Sequence, residues 1–229
     1  MIPEAFPRAL RSERFVRGSL CFAMTSYLTI ARGGETTIEV KRSRFLCSLR
    51  RVEQETEARA MVEELRRAHW DARHHCSAFV IGPDGMLQRS SDDGEPSGTA
   101  GAPMLEVLRG RGVTDVAAVV TRWFGGTLLG AGGLVRAYGD AVAAGLAEVG
   151  TLERRLLQEW SLRLDHADAG RVEGELRLRG VEVLEAEYAQ DVRLLLGVTD
   201  PQALVASVAA LTSGRVVPTR VGERWVDRP

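Results

Sequence analysis

The sequence predicts two small α+β domains, the second of them ferredoxin-like. Three observations carry this reading. Apolar residues alternate at a period of two in some segments and recur at i, i+3, i+4, i+7 in others, so strands and helices are mixed. Glycine is concentrated, with 15 of 24 between Gly82 and Gly150, and it thins after Thr151, which marks a boundary near residue 150. The segments after Thr151 run strand, helix, strand, strand, helix, strand, which is the split βαβ plan. The expected division is 1–23 as an N-terminal extension, 24–150 as the first domain and 151–229 as the second.

In the first domain, Thr36–Val40 and Arg44–Val52 read as strands. Ala58, Met61, Val62 and Leu65 line one face of a helix within 53–68. His75–Ile81 is a buried-type strand, and Gly82-Pro83-Asp84-Gly85 turns it into a hairpin with Met86–Ser90. Residues 91–103 carry no apolar period and form a loop. Thr99 is the expected N-cap of a short helix through Leu105 and Leu108, with Pro103 in its first turn. Asp115–Arg122 is a central strand. The glycine-rich loop Gly125–Gly133 opens a helix with Leu134, Tyr138, Ala141, Val142 and Val149 on one side.

In the second domain, Leu156, Trp160, Leu162 and Leu164 mark a half-buried strand. A helix follows with Ala169, Val172 and Leu176 inward. Strands Val181–Ala189 and Val192–Val198 come next, then a helix with Leu204, Val205, Val208 and Leu211, then a strand within Arg215–Val221.

Composition excludes several classes. With 45% hydrophobic and 27% charged residues, the chain is neither disordered, collagenous nor a coiled coil. Of the 30 basic residues only Lys41 is a lysine; Arg forks suit phosphate, and codon usage is the plainer source. A net charge of −1 argues against non-specific coating of nucleic acid, though not against a local basic patch. No DNA-specific signal is present. No apolar run reaches the ~18 residues of a membrane helix, so no membrane contact is expected. Cys21, Cys47 and Cys76 are too few and too odd for a disulfide framework, so a reduced, cytoplasmic chain is expected. Arg8, Arg11, Arg14 and Arg17 precede a short apolar stretch, Leu20–Met24, with no convincing cleavage site. Residues 1–23 therefore read as a poorly ordered leader, or as the product of an upstream start codon.

Four clusters are candidates for chemistry. Asp92, Asp93 and Glu95 offer three carboxylates in four positions, enough for a divalent cation or an acid/base pair; the alternative is a solvated acidic turn. The helix starts after Thr99 and Gly101, and after Gly125, Gly126, Gly130, Gly132 and Gly133, offer backbone N–H groups to an anion. Neither is a Walker loop or a dinucleotide fingerprint, since Val135 stands where the latter needs glycine, and close packing explains the same glycines. His74, His75 and Cys76 are adjacent on a strand and so point to opposite faces, which argues against a shared ion; Cys47 and Cys76 read as buried small hydrophobes. Lys41, Arg42 and Arg44 form the densest basic stretch, with Arg42 and Arg44 expected on one strand face, where they bind phosphate or merely solvate an edge strand. Arg122, Trp123 and Phe124 end the central strand beside the glycine loop, where an aromatic can stack a base. No cofactor or metal motif is present.

Taken together these stretches resemble the IMPACT/YigZ family. The carriers are Lys41-Arg42-Ser43-Arg44-Phe45, Asp71–Cys76, Ser91-Asp92-Asp93-Gly94-Glu95-Pro96-Ser97-Gly98-Thr99-Ala100-Gly101, and Val119 through Tyr138. Trp123 stands where the family usually has tyrosine, so a role for that hydroxyl does not carry over. The resemblance covers roughly 25–150 and extends to the βαββαβ tail. It implies a first domain of the α/β type shared with domain IV of elongation factor G and a small-subunit ribosomal protein. It implies a second domain like the last domain of that factor. Eukaryotic relatives regulate translation initiation by competing for an activator of an initiation-factor kinase. They do so with an added N-terminal domain that has no counterpart in these residues, so that activity is not carried over.

Two functions follow as expectations. One is a translation-linked protein that contacts RNA, the ribosome or a translation factor through Lys41, Arg42, Arg44, Arg122 and the two glycine loops. The other is a small metal-assisted enzyme acting on a phosphorylated or peptide-like substrate, with Asp92, Asp93 and Glu95 as ligands or acid/base groups and His74 or His75 as proton carrier. Sugar and homoserine kinases share the general fold of the first domain, but their serine-rich phosphate loop is missing here.

Overall fold

The computed structural model describes residues 25–228, so the expected 1–23 extension lies outside the described residues. The first element is β1 (Ser26–Ile30). The first domain then comprises β2 (Gly34–Val40), β3 (Ser43–Arg51), α1 (Glu55–Ala68), β4 (His74–Ile81), β5 (Leu87–Ser91), α2 (Gly101–Gly110), β6 (Val116–Trp123) and α3 (Ala131–Val149). Its strands form an antiparallel sheet ordered β2-β3-β6-β4-β5.

Alternation along the strands builds two cores. Phe45, Cys47, Cys76, Ala78, Ala118 and Val120 face α2 and α3 in one buried cluster. Phe79, Ala117 and Val119 face Ala58, Met61 and Leu65 of α1 in the other. The apolar spacing in 53–68 is satisfied by α1, which starts two residues later because Gln54 occupies its N-cap and Glu57 closes a capping box.

The second domain comprises β7 (Thr151–Leu164), α4 (His166–Leu178), β8 (Glu182–Tyr188), β9 (Val192–Val198), α5 (Pro201–Thr212) and β10 (Thr219–Arg228). The pairings give the spatial order β10-β7-β9-β8, the ferredoxin-like arrangement. Leu162, Leu194 and Leu196 of the sheet bury against Val172 and Leu176 of α4 and Leu204 and Val208 of α5.

Two departures from the sequence expectation concern the edges of this sheet. The last strand lies further on than 215–221, at Thr219–Arg228, because Val216 packs into the core as a connection rather than a strand. The charged run Glu223–Arg228 hid a strand whose partner is the long β7. Ser26–Ile30 precedes the first domain in sequence but pairs with Thr151–Arg155 of the second sheet. The Leu28 carbonyl also accepts from Thr114 N at 2.9 Å, so β1 ties the two domains together. The Tyr27 hydroxyl donates to Asp115, and Arg154 donates to Tyr27 Oη at 2.8 Å.

Candidate functional site

Strand register decides which candidate residues meet. Residues opposed across antiparallel strands share a face, and neighbours in sequence do not. Arg122 lies opposite both His74 on β4 and Phe45 on β3, so these three face α2 and α3. Trp123 lies opposite Arg44, on the α1 face.

On the α2/α3 side a cleft of 420 Å³ opens between the 92–98 loop and the loop before α3. Arg73, His74, Glu95, Arg122, Phe124, Leu128 and the start of α3 line it. At its floor Arg122 Nη1 donates to Glu95 Oε1 at 2.6 Å, with the two side chains only 8% and 4% exposed. The Tyr138 hydroxyl donates to the same oxygen at 2.8 Å. The Cys76 thiol lies 3.3 Å from Tyr138 Oη and 3.0 Å from the Asp92 carbonyl. Burial, with Cys76 and Glu95 alongside, pushes the Tyr138 hydroxyl far above its ordinary range, so it stays a donor. Burial likewise pushes the Cys76 thiol up to about 12, which removes it as a nucleophile. Cys47 is held at about 12 by the same cause.

His74 Nδ1 sits 2.8 Å from the Asp93 carbonyl. A carbonyl only accepts, so Nδ1 carries the proton in the neutral ring and Nε2 faces the cleft bare, 4.0 Å from Glu95 Oε1. Gly94 turns the chain beside this ring at φ +83, where glycine is favoured; a Cβ there would meet His74 Nδ1 only at an ordinary 3.5 Å.

The acidic cluster does not converge. Asp92 turns inward and accepts from the N–H groups of Gly98, Ala100 and Gly101 at 2.8–3.0 Å. Asp93 accepts from Arg66 Nη2 at 2.9 Å and from His75 N at 2.7 Å, and Glu95 holds Arg122. Among the described residues no group of three His, Cys, Asp or Glu side chains is placed to hold a metal ion. The metal-assisted enzyme loses its ligand set here, because the turn at 92–95 sends the three carboxylates to three different partners.

Asp92 also changes the reading of the first glycine block. Its carboxylate fills the anion position at the start of α2, so Thr99 and Gly101 offer nothing to an external phosphate. Thr99 is not the cap; Ala100 is in the cap position, and Thr99 Oγ1 donates to the Pro96 carbonyl at 2.6 Å. Burial alone would raise the Asp92 pKa, but the three N–H donors outweigh it and hold it below the usual value. A carboxyl depressed on folding contributes stability above its unfolded pKa, and this is lost as pH falls through the folded value. Asp92→Ala is expected to cost about 1–2 kcal/mol at neutral pH, the range of a lost cap. The deficit relative to wild type should shrink below about pH 4. Urea unfolding of both proteins across that range measures it.

The second glycine block behaves differently. Gly125 packs on the β2–β3 turn so closely that its Cβ position would lie 2.0 Å from the Arg42 carbonyl. Gly125 N donates to Ser43 Oγ at 3.1 Å, and Arg42 Nη2 donates to Thr127 Oγ1 at 3.1 Å. Gly126 and Gly130 have φ of +82 and +73, where glycine is favoured. Gly133 approaches Leu129, whereas a Cβ at Gly132 would meet open space. The start of α3 has no side-chain cap and no acid in its first turn. Among the described residues no side chain accepts from the first N–H groups of α3, so there its anion position is unfilled.

Arg42 and Arg44 do not share a strand face as expected. Lys41 and Arg42 form the turn itself, at φ +47 and +68, and only Arg44 lies in β3. Arg44 stacks on Trp123, its guanidinium carbon 3.7 Å from the ring centre. His69 meets the same ring edge-on, and Trp123 Nε1 donates to Asp71 at 2.8 Å. This aromatic group lies across the sheet from the cleft, so Trp123 and Arg44 do not act with Arg122. His75 is on that side too, buried, with its pKa lowered chiefly by desolvation. Sequence reasoning missed Tyr138 as the partner of Glu95, and Arg73 and Leu128 at the rim. Leu128 alone carried a signal, as an apolar residue inside a glycine loop.

The fold and site define a class: a two-domain α+β protein with a cleft at a helix start in its first domain and a ferredoxin-like second domain. Residues 41–146 match the Impact N-terminal domain, and residues 162–215 match a domain of unknown function, DUF1949. IMPACT family member YvyE of Bacillus subtilis is 44% identical over 83% of this chain and 88% of its own length. IMPACT family member YigZ of Escherichia coli is 42% identical over 82% and 92%. A solved structure described as that of an hypothetical protein aligns with TM-score 0.60 and 36% identity, covering 87% of this chain and 98% of its own. The chain belongs to the IMPACT family. No helix among the described residues is long and apolar enough to cross a membrane.

Proposed function

We propose that the protein is a translation-linked RNA-binding protein whose contact is the cleft face of the first domain. One observation carries the reading. A single cleft joins an uncapped helix N-terminus and the exposed Arg73 to Phe124 and Leu128, which are 44% and 83% exposed. Positive groups that place a backbone, beside an aromatic face that stacks a base, are the two requirements for single-stranded RNA. The likeness of the fold to translation-factor domains adds support at the level of analogy. The buried Arg122 positions the site rather than sweeping the RNA surface. The RNA is a ribosomal or messenger segment with unpaired bases, met in the cytoplasm.

The test is a titration of a fluorescent single-stranded oligoribonucleotide at low and moderate salt. Replacing Arg73 and Phe124 together by alanine is expected to weaken binding about 10- to 100-fold, as one stacked base and one phosphate contact are lost. Both residues are exposed, so the fold should survive. Affinity indifferent to salt and to this double substitution would sink the proposal.

A further inference from the structure

The cleft has features that a sequence-blind RNA surface does not need. It is about the size of one small ligand, and its floor is closed by Glu95 and Arg122 with Tyr138 beneath them. Arg122 is more than nine-tenths buried, yet only Nη1 has a protein acceptor among the described residues. Its Nε is buried and has none among the described residues. An arginine held out of water with donors to spare indicates an anion from outside the protein. The unfilled N-terminus of the 19-residue α3 opens into the same cleft through Gly130 and Ala131. Two independent features thus border one cleft with N–H donors that no described group accepts from.

We infer that the cleft binds the phosphomonoester of a single nucleotide, either free or at the end of an RNA strand. The phosphate sits at the start of α3 near Arg122, where N–H groups and the helix dipole favour a dianion. His74 Nε2, bare in the neutral ring, accepts from a ribose hydroxyl. The base lies against Phe124 and Leu128 at the mouth. For the strand-end source, the inference rests on the RNA reading given above; for the free nucleotide it does not.

The full-length protein is titrated with adenosine 5′-monophosphate, with adenosine, and with one short oligoribonucleotide carrying a 5′-phosphate, a 3′-phosphate or neither. Adenosine 5′-monophosphate should bind at least about tenfold more tightly than adenosine, the difference made by a phosphate at a helix N-terminus with an arginine beside it. A strand phosphorylated at one end should show the same advantage over the unphosphorylated strand. Ala131→Glu puts a carboxylate in the exposed first turn of α3. It should leave thermal stability unchanged or higher, because an acid there suits the dipole, and should abolish the phosphate-dependent difference. Equal affinity for phosphorylated and unphosphorylated ligands overturns the inference and leaves the RNA reading standing. Binding of the mononucleotide with no binding of any strand supports the inference and overturns the RNA reading. An Ala131→Glu protein that keeps the phosphate preference removes the site from α3.

Discussion

Glu95→Ala is expected to lower the unfolding free energy by about 3–5 kcal/mol, the cost of leaving a buried charge without its partner. The reason is local. Glu95 is the acceptor for both Arg122 Nη1 and the Tyr138 hydroxyl, at 2.6 and 2.8 Å, and all three side chains are buried. Removing it strands a guanidinium and a hydroxyl in the same space, each of which has lost water and gains nothing in return. Replacing the pair together, with Glu95→Leu and Arg122→Met, should restore the part of the loss that comes from the stranded guanidinium, because apolar groups of similar volume need no partners, and leave the smaller cost of the Tyr138 hydroxyl. The double variant should nevertheless lose ligand binding, since the cleft then has no charged floor. Urea unfolding of the two variants separates these statements. A Glu95→Ala protein within about 1 kcal/mol of wild type would show that water reaches Arg122 easily.

Gly125→Ala is the second large effect, expected at about 3 kcal/mol, at or above the upper end of ordinary overpacking. A methyl at this position would lie 2.0 Å from the carbonyl carbon and oxygen of Arg42 and 2.4 Å from Ser43 N. The obstacle is backbone, so no rotamer change relieves it. The strand turn and the glycine loop must separate, which breaks the Gly125–Ser43 and Arg42–Thr127 hydrogen bonds. The same change at Gly132, where nothing lies within 4 Å, should be neutral or stabilising, as alanine is the better helix former. Thermal unfolding of the two variants gives the contrast, and similar melting temperatures would contradict the close approach.

How much of this was legible depends on the range of each interaction. The helix in 53–68 and the five ferredoxin-like elements up to α5 follow from apolar spacing alone, because one face of each must be buried. That His74 and His75 point apart follows from the pleat. The role of Asp92 did not follow. Its partners lie six to nine residues on, in a loop without period, and only a folded turn shows that the carboxylate occupies the helix start. The expected pairing of Arg42 with Arg44 failed because Arg42 lies in the left-handed turn between the two strands, where the alternation of side chains does not hold. Trp123 and Phe124 were grouped by adjacency, yet the pleat puts Trp123 on the α1 face and the strand ends before Phe124.

The sequence by itself determined the class of fold, the family and the two glycine blocks as places of constraint, since these rest on local periodicity and on residue types at fixed spacing. Only the tertiary structure decided that one block is closed by an internal carboxylate and the other is left open. That difference depends on which side chain reaches a helix N-terminus from elsewhere in the chain. It also decided that Arg122, Glu95 and Tyr138 form one buried group. Strand register and a helix from a distant segment bring them together, and short-range pattern contains neither.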